Sequence, residues 1–157
     1  MTRRYGRARP GQRVGEGTPA THWRNLTLLG ALTRQGMLTL MSIEAATDGE
    51  VFLAWLKKQV CPHLRPGQIV IMDNLGAHKA QGVRHCIEAC QARLLYLPPC
   101  SPDFNPIEQA WSKTKQYLRA AKARTLEPLH QALAQAIATI TPQDASAWFR
   151  HCGYGIQ

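Results

Sequence analysis

A chain of 157 residues, 45% of them apolar, is sized for one domain with one core and excludes disorder over its whole length. Its 19 Lys and Arg against 10 Asp and Glu leave a net charge of +9, which favours a polyanionic partner, nucleic acid first and an anionic membrane surface second. No apolar run approaches the ~18–20 residues that span a bilayer, and the arginine-rich start lacks the apolar stretch of a secretory signal.

Residues 1–20 are rich in Arg, Gly and Pro without an apolar period, and read as an irregular basic arm carrying Arg7, Arg9 and Arg13. Residues 26–32 suit a strand, Arg34-Gln35-Gly36 a turn, and residues 37–45 a second strand. Thr47 or Asp48 can cap a helix with Phe52, Leu53, Leu56 and Val60 on one stripe, ending before Pro62. Pro66-Gly67 makes a turn, and residues 68–72 form a short apolar strand of the buried kind. A helix over 79–91 turns Val83, Ile87 and Cys90 inward, and a strand over 93–97 stops at Pro98-Pro99. The helix from Pro106 to about Ala123 carries Ile107, Ala110, Trp111, Thr114 and Leu118; its surface Lys113, Lys115 and Arg119 form a second basic cluster. Two more helices follow, one on Leu126, Leu129, Leu133 and Ile137, the other opened by Thr141-Pro142. This order defines an α/β domain with a mixed sheet flanked by helices. Five cysteines without a C-x-x-C pair point to no disulfide framework and suit a reduced, cytoplasmic setting. Cys86 and Cys90, beside His85, fit a buried helical face better than a metal site.

Two carboxylates stand out. Asp73 ends the apolar strand Ile69-Val70-Ile71-Met72, where α/β folds gather ligands, although Asp73 and Asn74 are equally ordinary turn residues. Glu108 opens a helix behind Asn105 as N-cap and Pro106 as first residue, where it can cap reciprocally and meet the helix dipole. Asp103 is a weaker rival ligand. Hard divalent cations take such oxygen ligands, completing their shells with water and phosphate, and paired ions stabilise the attacking and leaving oxygens of an in-line displacement. His78 and Lys79, just past Asp73, can meet a water or a phosphate, or equally cap a helix and solvate a surface.

The segments Met72-Asp73-Asn74-Leu75-Gly76-Ala77-His78-Lys79 and Leu97-Pro98-Pro99-Cys100-Ser101-Pro102-Asp103-Phe104-Asn105-Pro106-Ile107-Glu108 resemble the second and third signature blocks of IS630-family transposases. These belong to the Tc1/mariner-like group of DDE superfamily endonucleases with an RNase H-like core. The likeness extends over nearly the whole chain, including residues 23–32, 48–53 and 151–154. It implies that Asp73 and Glu108 are the second and third catalytic carboxylates and bind Mg²⁺ or Mn²⁺, two ions in the complete family site. It implies Asn74, Asn105 and Pro106 as loop-shaping residues, and double-stranded DNA at transposon ends as partner. The basic residues, His78 and Lys79 included, would hold that DNA. A homodimer in a bacterial cytosol or nucleoid, with no membrane, is the matching setting.

One departure matters. In the family the first catalytic Asp lies on a strand shortly before the stretch that residues 5–13 resemble, so that strand and its Asp are expected to be missing, as is the preceding DNA-reading helix-turn-helix domain. Residues 21–157 then form a partial catalytic domain. Because that first strand lies between the second and fourth in RNase H-like sheets, its loss leaves two apolar edges without a ladder partner. The sheet is expected to re-pair or to be poorly stable alone, and the chain to be inactive by itself. The function expected is a transposase catalytic core that cleaves and joins DNA when complete; the alternative is an inactive nucleic-acid-binding remnant or regulator.

Overall fold

A computed structural model describes residues 9–12, 26–123 and 125–155. Most of the basic arm, including Arg7 and Arg13, lies outside the described residues, as do Trp23 and Arg124. Within the arm, Gln12 N donates to Arg9 O at 3.0 Å around Pro10-Gly11, with Gly11 at φ 84°, the geometry of a type II turn.

Strands β1 (Thr27–Thr33) and β2 (Gly36–Ile43) form an antiparallel hairpin closed at Thr33 and Gly36, with a bulge between Ala31 and Leu32. Side-chain alternation divides β1 between two layers. Leu29 and Ala31 pack into the main core, whereas Leu28 packs on Leu118, Ala132 and Leu133. Helix α1 (Gly49–Trp55) is capped by Asp48, whose Oδ1 accepts from Val51 N at 2.9 Å. It widens into a π-helical segment, Leu56–Val60, and then tightens into a 3-10 turn, Cys61–His63, around Pro62.

Strand β3 (Ile69–Met72) and β4 (Arg93–Tyr96) pair in parallel through a crossover that contains a 3-10 turn, Gly76–Lys79, and helix α2 (Val83–Ala89). The single helix expected over 79–91 is therefore corrected. Gly82, at φ 94°, takes a left-handed conformation that separates the turn from α2. Cys61, Cys86 and Cys90 gather where α2 meets the π segment, with Cys61 Sγ 2.8 Å from Cys86 Sγ. All five cysteines are free, and burial reinforced by the neighbouring thiols raises the Cys61 pKa well above the ordinary thiol range.

Gly49 stands where the start of α1 meets this crossover: a Cβ there would lie 2.6 Å from Ala80 Cβ. That neighbour is fixed to the backbone and cannot swing away. Gly49→Ala is therefore expected to destabilise the protein by ~1–3 kcal/mol, read as a lower urea midpoint.

The four described strands form two separate two-stranded sheets, β1-β2 and β3-β4, with no ladder between them. They are the halves of one mixed arrangement, because Leu29 of β1 and Met72 of β3 share a core with Phe52, Trp55, Leu56, Val60, Val83 and Ile87. The edges have not re-paired among the described residues. The expectation of a fully buried β3 is also corrected: Ile69, its first residue, is 55% exposed.

Helices α3 (Pro106–Ala121), α4 (Leu126–Ala138) and α5 (Pro142–His151) form the second layer. Ala110, Thr114 and Leu118 are the buried stripe of α3, and Lys122 ends it at φ 51°. Thr141 and Asp144 form a capping box that starts α5. Asp144 Oδ2 also receives Lys113 Nζ at 2.7 Å, and the same ammonium donates to Thr139 O at 2.7 Å. Lys113, with the Thr141 hydrogen bonds, holds the Asp144 carboxyl down at about 2. Its ordinary value is 3.8, so this stabilisation is fully present above about pH 4 and is lost as pH falls toward 2. Asp144→Asn should lower stability at pH 7 and flatten the acid limb of a denaturation profile between those values. The pair is partly solvated, which keeps the effect modest.

Candidate functional site

The C-terminal end of β3 delivers Asp73 to a turn built around its own carboxylate. Asp73 Oδ1 accepts from Leu75 N at 3.0 Å, so the turn role is real. His78 Nδ1 lies 2.6 Å from the same oxygen, within ion-pair distance. Asn74 Nδ2 donates to Leu97 O, and Leu97 N donates to Met72 O at 2.8 Å, so the Asn74 amide extends the β3-β4 ladder by one bond and fixes the turn. His78 is held from two further sides: its ring centroid is 4.5 Å from that of Phe52, and its carbonyl accepts from Tyr96 Oη at 2.7 Å. Arg84 lies over the Tyr96 ring, 5.8 Å from its centroid. Phe52 and Tyr96 carry no mark of such positioning in the sequence, where each reads as an apolar position of its own element.

Glu108 comes from the other layer. A 3-10 turn, Pro102–Phe104, leads into α3, and Tyr154 Oη pins it by donating to Phe104 O at 2.7 Å. Asn105 occupies the N-cap in extended conformation and Pro106 follows, as the sequence requires. The expected side-chain capping is absent. Asn105 makes no side-chain cap bond, and Glu108 has no side-chain hydrogen bond or ion pair among the described residues. The Asn105 backbone N–H, from which a capping Glu108 would accept, donates instead to Pro102 O at 2.9 Å, so the Glu108 carboxylate makes no cap bond.

Asp73, His78, Asn105 and Glu108 all line one cavity of about 730 Å³. The exposed Asp103 does not line it. The two carboxylates that line it are of the oxygen-ligand type that a hard cation takes, its shell completed by water and phosphate. They are short of what two ions need, and no three His, Cys, Asp or Glu side chains come together as a metal-binding group among the described residues.

Of the basic residues, Lys79 and Lys115 are exposed, Arg119 is half-exposed one turn beyond Lys115, and Arg9 is exposed. Lys113 is engaged by Asp144 and Thr139. Its partner lies on α5, too distant in sequence for a local pattern to reveal.

This hairpin, crossover and helical layer together reproduce the RNase H-like transposase catalytic fold. The Mos1 strand transfer complex superposes with TM-score 0.72 at 17% identity over 97% of this chain and 46% of the Mos1 chain. The Mos1 transposase paired-end complex with left transposon end gives 0.72 and 17%, over 95% and 47%. The Mos1 mariner paired end complex with Mn gives 0.68 and 18%, over 97% and 47%. The chain thus spans about half the length of these solved transposase chains. The family model for the DDE superfamily endonuclease matches residues 1–130, and the chain belongs to that family. No curated protein sequence matches it. No helix among the described residues is long and apolar enough to cross a membrane.

Proposed function

We propose that this chain is the catalytic-core portion of an IS630-type DNA transposase, acting on double-stranded transposon ends with Mg²⁺ or Mn²⁺ in the cytoplasm. One observation carries the reading: Asp73 at the end of β3 and Glu108 of α3 line the same cavity, and among the described residues the Glu108 carboxylate has no side-chain partner. Asp73 and Glu108 are the proposed metal-binding and catalytic pair, His78 a positioning residue beside Asp73, and Asn74, Asn105 and Pro106 the shapers of the two loops. Lys79, Lys115 and Arg119, with the arm's Arg7, Arg9 and Arg13, are the proposed phosphate contacts; a homodimer is the assembly that would bring two ends together. A third carboxylate, on a strand between β1 and β3, completes the site in this reading.

The 157 residues alone should bind duplex DNA with an affinity that falls steeply with salt, and should transfer no strand. Each of Lys79→Ala, Lys115→Ala and Arg119→Ala should lower the salt slope by about 1, whatever the DNA sequence. A version extended upstream with an apolar strand ending in Asp should nick DNA when Mg²⁺ or Mn²⁺ is added. If the extended, folded version binds DNA but never cuts it, the remnant or regulator reading replaces this one.

A further inference from the structure

Three of the five cysteines meet at one place, although nothing in their spacing brings Cys61 to the other two. Cys61 closes the π-helical segment, while Cys86 lies within α2 and Cys90 ends it. Cys61 Sγ stands 2.8 Å from Cys86 Sγ, across 25 positions of sequence. Cys90 Sγ lies 3.4 Å from Cys86 O and 3.7 Å from Cys61 O, so main-chain oxygens take up its thiol proton. The backbone is fixed on both sides of the contact, because Val60 and Ile87, the immediate neighbours of Cys61 and Cys86, are buried in the same core. The two sulfurs belong to half-buried residues, within reach of a small oxidant. A disulfide needs about 2.05 Å between its sulfurs, so the pair has to close by less than ~1 Å. Thiols also suit soft metal ions, but no group of three ligands is arranged about one ion among the described residues, which leaves pairwise chemistry.

We infer that Cys61 and Cys86 are a modification site: hydrogen peroxide converts them to a reversible disulfide that clasps the two ends of the segment carrying Asp73. Burial, and then the hydrogen bond with Cys86, hold the Cys61 thiol protonated, so Cys86 is the first nucleophile. Its sulfur attacks one peroxide oxygen and the O–O bond breaks. The products are a Cys86 sulfenic acid and a hydroxide, which takes the Cys86 proton and becomes water. Cys61 Sγ then attacks the Cys86 sulfur, the S–O bond breaks, and the hydroxyl leaves as water with the Cys61 proton. The two thiols together lose two electrons, and the peroxide is reduced to two waters. A small thiol reverses the bond by exchange. Such a bond is absent in a reduced cytosol and appears on oxidation, which agrees with a chain that has no disulfide framework. The closed loop contains β3, the Asp73 turn and His78, so the bond restricts the unfolded chain where those residues lie. It forms whether or not Asp73 is catalytic.

The test treats the full chain with hydrogen peroxide, blocks the remaining thiols with iodoacetamide, and maps tryptic peptides by mass spectrometry without reduction. Trypsin does not cut before Pro66, so Cys61 falls on residues 59–79, and Cys86 and Cys90 fall together on 85–93. These two peptides should appear linked, and dithiothreitol should separate them. Because 85–93 carries two cysteines, variants identify the partner: Cys90→Ser should keep the link, and Cys86→Ser or Cys86→Ala should lose it. The exposed Cys100 should stay unlinked and be alkylated. Oxidation should raise the thermal midpoint by about 5 °C or more in the unmutated chain and in Cys90→Ser, and should leave the Cys86 variants unchanged. Circular dichroism checks that each variant is folded, and the peptide map of the unmutated chain stands without them. A Cys86–Cys90 link within one peptide, a link that joins two copies on a non-reducing gel, or cysteines oxidised to sulfonic acid without any link would overturn the inference. So would links that involve Cys100 as often as Cys61, or a linked chain that unfolds no later than the reduced one.

Discussion

Asp73→Asn and Glu108→Gln, each introduced into a version extended with the upstream strand, should lower DNA cleavage by more than 100-fold and leave DNA binding within about twofold. The magnitude follows from rank: losing even an outer partner of a metal ligand commonly costs 10–100-fold, so losing the carboxylate itself should cost more. Binding is spared because the proposed phosphate contacts are Lys79, Lys115, Arg119 and the arm's arginines, while the amide replacements keep the side-chain shape. Neither variant should lose much stability. Asp73 organises its own turn by accepting from Leu75 N, and Asn retains an acceptor at that place, so the turn survives. Glu108 has no side-chain partner to lose among the described residues, so Glu108→Gln should be neutral within about 0.5 kcal/mol. A Glu108→Gln protein that unfolds more readily would show that the carboxylate has a structural role; retained cleavage in either variant would remove that residue from the site. His78→Ala, in contrast, should weaken cleavage by 10–100-fold through the orientation of Asp73, since its Nδ1 lies 2.6 Å from Oδ1. His78→Asn, which can place an amide near Oδ1, should recover part of that loss.

Element order was legible because apolar runs and turn residues are local signals. The hairpin, the Asp48 cap, the crossover and the Thr141-Pro142 helix start all fall where those signals place them. What failed depended on distant partners. The apolar run of β3 reads as buried on both faces, but Ile69, which pairs with Arg93 at the start of the strand, remains 55% exposed. The late start of α2 follows from Gly82 seated against Leu53, 3.3 Å from where a Cβ would stand. Asn105 and Glu108 have capping chemistry and spacing, yet the box does not form. Lys113 reads as part of a basic face, and only the fold brings Asp144 to it. The carboxylates themselves were visible singly, as a strand-end Asp and a helix-start Glu. That they share a cavity is a property of two layers meeting, which neither local sequence contains.

Ile87→Ala should destabilise the protein by about 4 kcal/mol and Leu56→Ala by about 2–3 kcal/mol, an order that the residues alone would not give. Both side chains are fully buried in the core that joins the two half-sheets. Large-to-small core changes cost about 2–5 kcal/mol, the spread being set by how much void remains. Leu56 already borders the cavity between β1 and β3, so its truncation enlarges a space that water can reach. Ile87 does not border it, and its truncation leaves a closed apolar void in the shared core. Both losses are large against a typical stability of 5–15 kcal/mol. Urea denaturation should show a lower midpoint with unchanged slope for each. An equal cost for the two would mean that the cavity beside Leu56 does not set the difference between them.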